Sequence, residues 1–244
     1  MVLISIFTLV VVLIQGPVPQ DAAYHRFIDS RSFWSVPNFL NVVSNITFFI
    51  VGVTGLYKII IQNRLVIQVD LRPAYLLIFA GAILVAFGSG YYHLSPDNMT
   101  LLWDRLPMTI TFMALFSIVI GEFISLSLAK RVLWPLLIAG CFSVLYWLFT
   151  ELNGVGDLRA YILVQFLPIL MMPVIFVCFK SRFTHHSGYW ALFAAYAFAK
   201  LFEYYDAEIF NLSGIISGHT LKHISAAIGL YFLLKTYERR QSQA

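Results

Sequence analysis

Three histidines carry most of the chemistry this sequence can offer. His219 and His223, in SGHTLKHISAAIG, stand four positions apart, so on a helix they project from one face in successive turns. That spacing lets two imidazoles reach one metal ion, and a catalytic zinc takes three protein ligands while keeping a further position for water. His93, in GSGYYHLSPDNMTLLWDRLPM, is the third candidate ligand. The pair by itself is a weak signal, because H-x3-H arises by chance. The zincin motif H-E-x-x-H shares the spacing, but the residue after His219 is Thr220, so a zincin-type glutamate base is missing. Proton transfer then falls to Asp104, expected in the short loop or helix start beyond His93. Ser89, four residues before His93, shares its helix face and could donate a hydrogen bond to the oxyanion of a tetrahedral intermediate.

The elements that position these residues are set by composition. Of 244 residues, 60% are hydrophobic and 11% charged, whereas soluble domains carry about 25% charged residues. Apolar runs recur that are long enough to cross a hydrocarbon core of roughly 30 Å. Backbone groups find no water in lipid, and the runs are continuous, not alternating, so they are expected to be helices. The prediction is an all-α integral membrane bundle of seven transmembrane helices over roughly 38–61, 73–93, 106–127, 132–150, 160–180, 188–210 and 215–236, preceded by a short N-terminal hydrophobic segment. Residues 1–20 read as that segment, a signal or anchor whose signal-peptide reading is weakened by the lack of a basic start. Residues 21–37 read as an outer loop, 38–237 as the membrane domain and 238–244 as a cytoplasmic tail.

Loop charge orients the bundle. One side receives Lys58, Arg64, Arg72, Lys130, Arg131, Lys180, Arg182, Lys235, Arg239 and Arg240, ten in all, and the other receives Arg26, Arg31, Arg105 and Arg159, four in all. The positive-inside rule puts the first side and the C-terminus in the cytoplasm, with the histidines near the outer or luminal face. Basic residues form no stripe with interleaved aromatics, so nucleic acid is not expected as a partner.

Lys200, Glu203 and Asp206 fall on one predicted span at i, i+3 and i+6. With Lys222 they form a structural ion-pair network or a contact to a substrate headgroup. Asn41, Ser44 and Asn45 share a helix face and read as polar glue between helices. Cys141 and Cys178 lie in apolar segments and are expected to be buried free thiols. His185 and His186 read as solvated, and His25 is given no role.

Order and spacing together resemble the alkaline ceramidases. The residues that carry the resemblance are Ser89-x3-His93, Asp104 within LL-x-D-x-LPM, His219-x3-His223, and NVVSN from Asn41 to Asn45. It covers roughly residues 38 to 236 and points to the bacterial branch of a seven-helix hydrolase superfamily that also includes the progestin and adipoQ receptors. The resemblance implies zinc held by His93, His219 and His223, with activated water cleaving the amide of a ceramide-like membrane lipid. Ser89 would stabilise the oxyanion and Asp104 would move protons. Another bond in a lipid, or a receptor-like protein with structural zinc, are the alternatives; nothing shows the inverted repeats of a transporter. Eukaryotic members carry a calcium site before the first core helix, but RFIDSRSFWSVPNFLN offers one carboxylate, Asp29, and Asn38 stands where a glutamate is expected. Calcium prefers six to eight oxygen ligands, so calcium is not expected to carry over.

Overall fold

A computed structural model describes residues 2–243; Met1 and Ala244, the outermost residues of the predicted N-terminal segment and tail, lie outside them. Helices run as α1 (Val2–Ile14), α2 (Phe39–Val43), α3 (Ile46–Ile60), α4 (Arg72–Leu94), α5 (Asn98–Phe123), α6 (Leu126–Leu152), α7 (Arg159–Cys178), α8 (Ser187–Tyr204), α9 (Asp206–Ser213) and α10 (Gly218–Arg239). No strand occurs among the described residues, where pairing is limited to the isolated bridges Phe33–Val36 and Phe183–Ser242. The main packed pairs are α4 with α5, α8 with α10, α5 with α6, and α3 with α4.

Five segments are long and apolar enough to cross a membrane: Phe39–Ile60, Val69–Leu94, Asn98–Phe123, Leu126–Leu152 and Arg159–Cys178. The helices expected as the sixth and seventh spans, α8 and α10, are not among them. Their apolar faces are interrupted by Lys200 and Glu203 in α8 and by His219, Lys222 and His223 in α10.

Four sequence expectations need correction. Helix α5 begins at Asn98, eight residues earlier than predicted, because Asp97 builds a capping box: its carboxylate accepts from Thr100 N at 2.7 Å, and Thr100 Oγ1 accepts from Asp97 N at 3.1 Å. Reciprocal caps of this kind satisfy otherwise orphaned donors. Asp104 therefore lies in the second turn of a helix, the helix-start alternative of the two expected for it. The span predicted over 188–210 breaks at Tyr205, so Asp206 opens α9 and does not share a helix with Lys200 and Glu203. Cys141 is half-buried and Cys178 exposed; in a membrane bundle an apolar segment can face lipid as readily as the core. Arg240, counted above as a loop charge, is fully buried and pairs with the equally buried Glu122 at 2.8 Å.

That ion pair marks one end of the bundle. Tyr75 and Tyr189 donate to Glu122, Arg240 Nε donates to Val66 O at 2.7 Å, and the Phe183 ring lies 3.9 Å from the guanidinium carbon. The histidines lie at the opposite end, where α4 finishes and α10 begins.

Candidate metal centre

His93 occupies the last turn of α4, and His219 and His223 the first two turns of α10. The start of α10 is fixed twice. Ser217 caps it, accepting from Thr220 N at 3.1 Å, and Asp206 Oδ1 accepts from His219 N at 2.7 Å. All three histidines are buried, and one nitrogen from each lies within 4.8 Å of the others. Nε2 of His93 and Nε2 of His219 are 3.3 Å apart. Two nitrogens bound to one tetrahedral zinc at about 2.0–2.1 Å stand roughly 3.3 Å apart, so this pair already has the separation that a shared ion requires. Nδ1 of His93 is buried without a hydrogen-bond partner. A set of three imidazoles suits zinc and its first-row neighbours and disfavours calcium or magnesium.

The third imidazole is set by α2. Ser44 Oγ donates to Asn41 O at 3.1 Å and lies 2.8 Å from His223 Nδ1. With its single proton turned to the carbonyl, the hydroxyl can accept from Nδ1–H, which leaves Nε2 as the lone-pair nitrogen. Asn41 Oδ1 in turn accepts from Thr220 Oγ1 at 2.8 Å, tying α2 to α10. Sequence reasoning placed Asn41 and Ser44 as interhelical glue and missed this hold on His223; the available signal was their place in NVVSN. From the segment before α2, Phe27 lays its ring against His93 and His219, with centroids 4.7 and 4.8 Å away. His25, assigned no role above, holds this segment to α4 and α5 through Tyr92 OH at 3.0 Å and Asn98 Oδ1 at 2.9 Å.

Ser89 and Asp104 face each other because α4 and α5 touch backbone to backbone. A Cβ on Gly88 would lie 1.9 Å from the carbonyl oxygen of Trp103. The Ser89 hydroxyl lies within hydrogen-bonding reach of the Asp104 carboxylate. Both border a cavity of about 350 Å³, whose polar end also holds His223, Arg105, Glu203 and Lys222. Beyond them its walls are apolar, from Ala82, Leu115 and Ile169 to Met172, Phe176 and Leu233. Glu203 accepts from Lys222 and from Lys200, each at 2.7 Å. Asp206 lies outside this trio and serves the backbone of α10.

Asp29 and Asn38, the two residues weighed above for calcium, both have partners within the chain. Arg31 grips both oxygens of Asp29 at 2.7 and 2.9 Å, and the Asn38 amide donates to His93 O at 2.9 Å. A sequence model of the ceramidase family matches residues 33–209. The match includes Ser89, His93 and Asp104 and stops before His219 and His223. No curated protein matches the chain.

Proposed function

Because the chain belongs to the ceramidase family, we propose that it is a zinc-dependent intramembrane amide hydrolase. It cleaves ceramide or a related long-chain N-acyl lipid to a fatty acid and a sphingoid base or other amine. The observation that carries this reading is the convergence of three imidazoles from two helices beside the polar end of an otherwise apolar cavity. A lipid amide has that polarity: a reacting polar group joined to a long hydrocarbon chain.

His93, His219 and His223 would hold the ion. Bound there, zinc would supply Lewis acidity and lower the pKa of a water to about 7. Ser44 fixes the tautomer of His223 and so keeps a lone pair available. Asp104 takes the proton released as water adds to the amide carbonyl carbon. It returns that proton to the nitrogen as the C–N bond breaks, as a positioned general acid–base does. Ser89 donates to the oxygen on which negative charge develops. Glu203, held by both lysines, is a structural support for the cavity wall.

In the membrane, α8 and α10 complete a bundle of seven spans with the five more apolar segments. The C-terminus is cytoplasmic and the metal centre lies near the outer face. Removing the buried Arg240 and Arg105 from the loop counts leaves nine basic residues against three, which preserves the orientation.

The test is detergent-purified protein incubated with ceramides and N-acyl lipids, with and without a chelator, while fatty-acid release is followed. Release that stops on chelation and returns with zinc is expected. Bound zinc without release from any amide would turn the reading to a receptor-like protein with a structural metal. Release indifferent to chelation would remove the metal from the chemistry.

A further inference from the structure

The polar end of the cavity does not balance its charges. It is bordered by three cations, Arg105, Lys200 and Lys222, and two carboxylates, Asp104 and Glu203. Glu203 accepts from both lysines, and Asp104 interacts with Ser89 and with the charge of Lys222. Arg105 is left over. It is 5% exposed and makes no ion pair among the described residues. Its Nη2 donates to Gln20 Oε1 at 2.6 Å, while Nη1 is buried with no partner at all. Glu151 accepts instead from Gln20 N and Trp147 Nε1, each at 3.1 Å.

The guanidinium carbon lies 4.3 Å from the ring centre of Trp147 and 4.8 Å from that of Tyr161. Aromatic rings stabilise the charge through its faces, but the donors of a guanidinium lie in its plane, at the rim. Nη1 therefore remains unmet inside the box. A buried cation without an ion-pair contact is costly, and an ionisable side chain at membrane depth marks a functional site. The planar fork is the geometry that recognises a carboxylate. Gln20 and Tyr24 approach Arg105 from the segment before α2, whereas the apolar walls run the other way, towards Phe176 and Leu233. Headgroup and acyl chain thus fall on opposite sides of the Ser89–Asp104 pair.

We propose that Arg105 determines substrate specificity by receiving a carboxylate carried on the amine side of the scissile amide. Within the amidase reading, on which this inference rests, the favoured substrates are acidic N-acyl lipids of the N-acyl amino acid type. Neutral ceramides are the poorer ones. An incoming carboxylate supplies the negative charge that the five side chains lack.

The test compares N-palmitoylglycine with N-palmitoylglycinamide, identical except for the ionised carboxylate, with a ceramide as third substrate. For the wild-type protein, kcat/KM is expected to be at least tenfold higher for the acid than for its amide. Arg105→Gln should abolish that ratio through a rise in KM for the acid alone, with Arg105→Lys between the two. A wild-type ratio of one or less would overturn the proposal, and it decides the matter even where the variants do not fold. An equal loss on both substrates in Arg105→Gln would also overturn it. Palmitate is added as a competitor: inhibition that depends on Arg105 without preference for the acidic substrate assigns the residue to the released fatty acid and overturns the headgroup role. Cleavage of ceramide without acid preference leaves the amidase reading standing, whereas no cleavage of any amide removes both.

Discussion

Ser44 and His223, 179 residues apart in sequence, meet at 2.8 Å between hydroxyl and Nδ1. With the serine proton on the carbonyl of Asn41, this contact would hold Nδ1 protonated and leave Nε2 free for a metal. Ser44→Ala should weaken zinc binding by about 10- to 100-fold, the usual effect of losing an outer-shell partner. A chelator competition titration measures it, and unchanged affinity would show that the hydroxyl does nothing for the ligand.

His219 and Asp104 separate metal binding from turnover. His219→Ala should lose both bound zinc and hydrolysis. Asp104→Asn should keep stoichiometric zinc while turnover falls by about 10²- to 10⁴-fold, the scale of a general acid–base contribution. Metal content by mass spectrometry beside an activity assay distinguishes the two, and full activity in either variant removes that residue from the mechanism.

Gly88 sets the spacing on which the Ser89–Asp104 contact depends. In Gly88→Ala the new methyl would meet the Trp103 carbonyl oxygen, a backbone atom that cannot swing aside. The two helices must part, at a cost of about 1–3 kcal/mol. Lower thermal stability in detergent together with reduced turnover is the expected result; unchanged values for both would mean that α4 and α5 accommodate the methyl.

Glu122 and Arg240 stabilise the far end of the bundle as a unit. Glu122→Gln strands a buried guanidinium and should cost about 3–5 kcal/mol, whereas replacing both residues with apolar ones should recover most of the loss. Thermal denaturation of the single and double variants tests this, and additive losses would refute the coupling.

Asp157 lies in the connection between α6 and α7. The Arg159 side chain, assisted by the Arg159 N–H and the Tyr146 hydroxyl, holds its carboxyl down at about 2, against an ordinary 3.8. Because the folded value is depressed, its stabilisation is fully present above about pH 4 and disappears as pH falls through about 2. Asp157→Asn should therefore be less stable than wild type by up to about 1 kcal/mol at neutral pH. Melting curves of the two proteins should converge towards pH 2; a gap that persists there would place the effect outside this carboxylate.

Continuous apolar runs made the helices readable, and i, i+4 spacing made His219 and His223 readable as a pair. Apolar runs are blind to polar starts, however. Asp97 and Thr100 carried a capping signal that would have moved the beginning of α5 and decided between loop and helix start for Asp104. The break at Tyr205 has neither glycine nor proline to announce it. Ser44 acquires its meaning only when α2 meets α10, and Arg240 only when Glu122 arrives from 118 residues away. Those are tertiary facts, written in no local pattern.

The 126-position separation of His93 and His219 has a consequence for biogenesis. Two of the imidazoles belong to successive turns of one helix and come into register as soon as that helix forms. The other emerges much earlier in synthesis and cannot join them until α10 has docked. A nascent chain thus offers an ion only a two-pronged grip, and metallation becomes the closing event of assembly. Ion capture then locks an already finished bundle, because an ion that binds only the folded form stabilises it.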